Sequence, residues 1–133
     1  VASGGELSRI MLAIKTVLAG RDDIDTLIFD EIDAGISGRT AWRVSEQLDR
    51  VGKAHQVLCI THLPQIAAMA DKHFVIEKNA KSDNTITDIR HISEDESLGE
   101  LARLLGSDAL TEAALSNARE MRAQALGYKE KQP

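Results

Sequence analysis

The chain carries a single cysteine, Cys59, so it cannot close an internal disulfide. That fits a reducing cytoplasm, with Cys59 expected as a buried thiol inside an apolar run. No apolar stretch approaches the ~20 residues that a membrane-spanning helix needs, and no leader pattern of basic residues followed by an apolar segment opens the chain. An excess of positive charge is also missing. A net charge of −5 at pH 7 leaves no electrostatic footprint for nucleic acid, so any contact with DNA is expected outside this chain. There is no internal repeat and no low-complexity segment. What remains is an ordinary globular composition: 133 residues, 43% hydrophobic and 28% charged, enough for one domain or one lobe of a larger one.

The chain is organised around Thr26-Leu27-Ile28-Phe29-Asp30-Glu31, an apolar run that leads straight into two adjacent carboxylates. Such a run reads as a strand of a parallel sheet, buried on both faces. Ligands of these sheets collect outside the carboxyl ends of the strands, where Asp30 and Glu31 fall. The alternative is a strand that merely ends in a polar turn. Gln56-Val57-Leu58-Cys59-Ile60 is a second run of the same kind, and it delivers Thr61 and His62 to the same sheet edge.

Helices flank these strands. Ser3 and Glu6 have the S-x-x-E spacing of a capping box, and Leu7, Ile10, Met11, Ile14, Val17 and Leu18 put an apolar face on a helix running to about Ala19. The box explains Ser3 and Glu6 but not Gly4 and Gly5. Paired glycines at a helix start let backbone N–H groups approach an anion, with the helix dipole favouring it. A loop with Asp33, Gly35 and Gly38 precedes a helix over about 39–51, in which Val44, Leu48 and Val51 face inward. Pro64 opens a short helix to Ala70. Strand, helix, strand, helix in this order implies an α/β fold with right-handed crossovers. Residues 73–77 and 85–89 flank a polar turn and predict an edge β-hairpin. Two helices follow, over about 97–105 and 111–126, with Leu98, Leu101, Ala102 and Leu105 inward on the first.

Three features therefore converge: a carboxylate pair, a histidine at a neighbouring strand end and a glycine-rich helix start. Nucleotide hydrolysis needs a carboxylate to hold Mg²⁺, usually through waters, a second group to deprotonate or orient the attacking water, and donors to the γ-phosphate. Asp30, Glu31 and His62 fit these roles in that order. Competing readings are weaker. The spacing of His55, Cys59 and His62 could suggest a metal site, but strand alternation sends His62 to the opposite face from the other two. His73 and His91 read as surface or strand-edge residues. Ser37 reads as an N-cap, since no base is placed to make it a nucleophile, and Glu94-Asp95-Glu96, before the penultimate helix, as a solvated first turn favourable to the helix dipole.

The motifs resemble those of the ABC-type ATPases. Ser3-Gly4-Gly5-Glu6 is similar to their signature motif, Leu27 to Glu31 to their Walker B strand, Asp33 to their D-loop and His62 to their switch histidine. The wording Val-Ala-Ser-Gly-Gly-Glu-Leu-Ser-Arg, Phe-Asp-Glu-Ile-Asp-Ala-Gly-Ile-Ser-Gly and Ile-Thr-His-Leu-Pro-Gln-Ile-Ala is similar to that of the bacterial SMC-like members of DNA double-strand-break repair and recombination. Those members share Ala2 in place of the usual leucine. The resemblance covers nearly the whole chain and implies the C-terminal lobe of an ATPase head, spanning residues 1–127, with a polar tail at 128–133.

It implies further that two heads sandwich two ATP molecules. Ser3, Gly4, Gly5 and Glu6 would contact ATP held by the opposite head. Asp30 (through Mg²⁺), Glu31 and His62 would act on the nucleotide of their own head, and Asp33 would lie along the head–head seam. The expected partners are an N-terminal lobe of the same protein, a second head in a homodimer, and DNA through the whole protein rather than a patch here. The expected location is the cytoplasm, at the nucleoid when DNA is engaged. The chain contains no G-x-x-x-x-G-K-[ST] phosphate loop and begins at Val1, not methionine, so it is expected to be a piece of something longer and inactive toward ATP alone. The alternatives are a dimerisation or DNA-tethering module with a lapsed ATP site, or another ABC-type ATPase.

Overall fold

The computed structural model of the chain describes residues 1–18, 20–81 and 84–132. Ala19, Ser82, Asp83 and Pro133, on which the expected helix end, hairpin turn and tail end fall, lie outside the described residues. The element order is α1 (Gly4–Val17), β1 (Thr26–Phe29), α2 (Gly38–Val51), β2 (Gln56–Cys59), α3 (Pro64–Met69), β3 (Phe74–Lys81), β4 (Asn84–His91), α4 (Glu94–Leu104) and α5 (Glu112–Glu130). This is a mixed α/β architecture. A two-stranded parallel sheet pairs Thr26 with Gln56 through Phe29 with Cys59, and a separate antiparallel hairpin pairs Phe74 with His91 through Lys81 with Asn84.

The first core forms where the sheet meets its helices. Leu27 and Phe29 of β1, with Val57 and Cys59 opposite them, pack against Leu12 of α1, Val44, Leu48 and Val51 of α2, and Ile66 of α3. A second core is built largely from small residues. Ala67 and Ala68 of α3, Leu101 and Ala102 of α4, and Ala114, Ala118 and Ala125 of α5 come together, since alanine at a helix contact lets the axes approach closely. Trp42 of α2 packs against this second core, near the start of its helix.

Several expectations need correction. The sheet is buried on one face only: Ile28, at 69% exposure, and Leu58 and Ile60 lie open on the other. The apolar face expected to anchor α1 is likewise open. Leu7, Ile10, Met11 and Ile14 are exposed, while Leu12 and Lys15 turn inward. Periodicity shows that apolar residues line up on a face, but it does not say whether anything within the chain covers that face. Cys59 is half-buried rather than fully buried.

Helix α4 starts three residues earlier than expected, at Glu94, because Ser93 and Glu96 form a capping box. The hairpin strands are longer than expected. The supposed polar tail is helical through Glu130, held by Tyr128 against the second core and by Lys129, whose ammonium lies 2.8 Å from Asp49 and 2.6 Å from Asp71. Among the described residues, no helix is long and apolar enough to cross a membrane.

Candidate functional site

Parallel pairing of β1 with β2 makes Asp30–Asp33 and Ile60–His62 leave the sheet at one end, and the Ile60 amide still donates to the Phe29 carbonyl at 3.1 Å. Asp30 is exposed, and its Oδ1 accepts from the Glu31 amide at 2.9 Å. Glu31 is exposed and has φ +58°. That left-handed backbone is strained for a glutamate and is more often found at functional positions than elsewhere. Its carbonyl accepts from the Ala34 amide at 3.0 Å, closing a turn.

The start of α1 is pressed against this turn. A Cβ added to Gly4 would overlap Glu31 Oε2, and one added to Gly5 would lie 2.8 Å from Ala34 Cβ and 2.9 Å from the Glu31 carbonyl. The two glycines thus have a reason that the sequence did not suggest: they let the helix start meet the carboxylate loop of its own chain. Ser3 and Glu6 cap α1 reciprocally, the Ser3 amide donating to Glu6 Oε2 at 3.0 Å and the Glu6 amide to Ser3 Oγ at 3.3 Å.

Two further residues lock the helix to the loop, and sequence reading missed both. Ser8 Oγ donates to the Asp30 carbonyl at 2.9 Å. Arg9 Nη1 donates to the carbonyls of Ile32 at 3.1 Å and Ala34 at 2.8 Å. Their place one turn after the capping box was the available signal, but polar residues there read equally well as solvated.

Asp33 is 4% exposed. Its Oδ2 accepts from Thr61 Oγ1 at 2.6 Å and from the His62 amide at 2.9 Å, and lies 3.0 Å from His62 Nδ1. Burial pushes the Asp33 carboxyl up, but the Thr61 hydroxyl, the His62 amide and the His62 charge together hold it below the ordinary carboxylate value. The His62 ring itself is 75% exposed. Nearby, burial first, and then the Asp33 and Asp30 charges, push the Cys59 thiol up to about 12, which keeps it protonated and unreactive.

The structure therefore gathers Ser3–Glu6, Asp30, Glu31, Asp33 and His62 around one loop. His55 is elsewhere, buried at the opposite end of β2 with Nδ1 2.5 Å from the Ile24 carbonyl. His73 is half-buried against Ser97 Oγ at 2.8 Å, and His91 is exposed with its ring 5.1 Å from that of Phe74.

The chain is 46% identical over 125 residues to the DNA repair protein RecN of Bacillus subtilis, a match covering 94% of this chain and 22% of the relative. It is 50% identical over 123 residues to the DNA repair protein RecN of Deinococcus radiodurans, covering 92% of this chain and 21% of the relative. It is 47% identical over 121 residues to the DNA repair protein RecN of Treponema pallidum, covering 91% and 21%. The family the chain matches is RecN. The chain spans about a fifth of the length of these RecN relatives. No protein-family model matches it. The gathered residues all lie in a chain matched to RecN over nine-tenths of its length or more.

Proposed function

We propose that the chain is the C-terminal lobe of an ATP-hydrolysing, ABC-type head in a RecN-like DNA repair protein. The observation that carries this reading is the shared sheet edge. Asp30 and Glu31 leave β1 and His62 leaves β2 at the same end, with the glycine-rich start of α1 against Glu31. Likeness to RecN supports the repair role. A protein of this kind would work in the cytoplasm, on chromosomal DNA.

Each residue has a chemical task in this reading. Glu31 takes the proton of the water that attacks the γ-phosphorus as the bond to the ADP oxygen breaks. His62 meets a γ-phosphate oxygen. Ser3 and the amides of Gly4 and Gly5 offer donors to the γ-phosphate of a nucleotide held by a second head, and Asp33 lies close to that seam. Asp30 suits Mg²⁺, which takes one or two carboxylates together with waters and phosphate oxygens. Among the described residues, no group of three acidic, histidine or cysteine side chains could hold a metal, so Asp30 would act with the nucleotide rather than in a cage of its own. When bound, Mg²⁺ neutralises charge on the phosphates.

The open faces support a second lobe. Ile28, Leu58 and Ile60 on the sheet and Leu7, Ile10, Met11 and Ile14 on α1 are exposed apolar surface of the kind that marks an interface. The partner assigned to them is the remainder of the same polypeptide, carrying the phosphate loop.

The test is ATP turnover by the full-length protein. Glu31→Gln should keep ATP binding and slow hydrolysis by about 10²-fold or more, the scale of a lost general base; near-normal turnover overturns the assignment. Ser3→Arg should abolish ATP-dependent head pairing, and unchanged sedimentation with ATP counts against the contact across heads.

A further inference from the structure

We infer that Asp33 is the positioning residue of His62, an inference that rests on the hydrolytic reading above. Three groups converge on one oxygen, Asp33 Oδ2: the Thr61 hydroxyl at 2.6 Å, the His62 amide at 2.9 Å and His62 Nδ1 at 3.0 Å. Thr61 is itself fixed, since its Oγ1 accepts from the Leu63 amide at 3.0 Å. A residue that served only a seam between heads would present its carboxylate outward. Asp33 is 4% exposed and engaged within its own chain.

The consequence for His62 follows from donor and acceptor inventory. An ionised carboxylate only accepts, so the ring nitrogen facing it must carry a proton. Asp33 therefore places hydrogen on Nδ1, fixes the ring plane, and leaves Nε2 toward the ligand, where it donates to a phosphate oxygen when the ring carries hydrogen on both nitrogens. The same carboxylate holds the backbone of His62, so ring and main chain are set by one group. Because Asp33 sits on the loop after β1, beside Glu31, any shift of that loop moves the histidine as well. The base at Glu31 and the phosphate contact at His62 are thus mechanically joined through residues 31–33.

The test is a double-mutant cycle on ATP hydrolysis by the full-length protein. Asn at 33 keeps size and an accepting oxygen for Thr61 and the His62 amide but removes the charge behind the ring. Asp33→Asn should lower kcat by about 10- to 100-fold, the scale seen on removing the partner that orients a metal-ligating histidine, with KM changed less than about 3-fold. His62→Ala should lower kcat at least as far, and the double variant should be no worse than His62→Ala. Losses that multiply overturn the positioning role while leaving the hydrolytic reading intact. Unchanged turnover in His62→Ala overturns the role of His62 in hydrolysis, and this inference with it.

A second measurement does not depend on activity. Nitrogen-15 histidine labelling of the unmutated protein, with the His62 signal identified by its loss in His62→Ala, reports which nitrogen holds the proton. Protonation at Nδ1 is expected; a neutral ring protonated only at Nε2 overturns the inference.

Discussion

Around the parallel sheet, the chain buries Leu27, Phe29, Val44 and Leu48 on one side and leaves Ile28, Leu58 and Ile60 open on the other. At the α3–α5 end it closes on itself, with Ala68, Leu101, Ala102, Ala118 and Ala125 fully buried. The helical end also has polar clasps. Arg122 Nη1 donates to the carbonyls of Ala68 at 2.6 Å and Ala70 at 2.9 Å, at the end of α3, and its Nη2 to Glu94 at 2.5 Å. Lys129 bridges Asp49 and Asp71; burial pushes its ammonium down, and the two carboxylates more than reverse that. One end has a closed core of its own. The other, which carries the proposed chemistry, shows apolar surface that a second body could cover, and the helix and loop that build the site lie beside it.

This contrast can be broken by mutation. The largest effect is expected at the closed end: Leu101→Ala, at a fully buried position, should cost about 2–5 kcal/mol in urea unfolding. An equal loss from Ile10→Ala would erase the distinction between the two ends. Next comes the helix–loop contact, where Gly5→Ala should cost about 1–3 kcal/mol. Its new methyl meets Ala34 Cβ and the Glu31 carbonyl, neither of which can swing aside. Gly4→Ala should cost less in the same measurement, because its clash is with the movable end of the Glu31 side chain.

At the open face, Ile10→Lys should change the stability of this chain by less than about 0.5 kcal/mol but clearly destabilise the full-length protein. The same small effect in both would mean that nothing covers α1.

The smallest effect is electrostatic. The Ser93 amide first, and then the Arg90 guanidinium and the Ser93 hydroxyl, hold the Glu96 carboxyl at about 2, below its ordinary 4.5. A depressed carboxyl stabilises the fold above its unfolded value, and that contribution is lost as pH falls from 4.5 toward 2. Glu96→Gln should flatten the acid limb of a stability–pH profile in that window. An unchanged slope would mean that the capping carboxylate of α4 contributes little.

Much of this was readable in local pattern. The Ser3–Glu6 box, the end of β1 at Phe29, the start of α3 at Pro64 and the helical stretch around Leu101 each depend on neighbours within a few residues, and spacing reports such neighbours directly. The second box, Ser93 with Glu96, had the same spacing as the first. It was hidden because a run of three acids looked solvated. The extension of α5 through Lys129 could not be read locally, since its supports are Asp49 and Asp71, far away in the chain.

The site divides along the same line. Its candidate members, apart from Ser8 and Arg9, can be named from sequence: two carboxylates at a strand end, a histidine at the next strand end and a capped glycine pair are chemistry written in residue order. Tertiary structure decided how they relate. It set Glu31 against Gly4, pinned the loop with Ser8 and Arg9, and turned Asp33 inward to His62. It also decided which apolar faces stay open. The reason is physical: a helix cap or strand alternation is fixed by bonds a few residues apart, whereas a close approach, a buried carboxylate or a bare sheet face depends on which distant segments are present to fill the space.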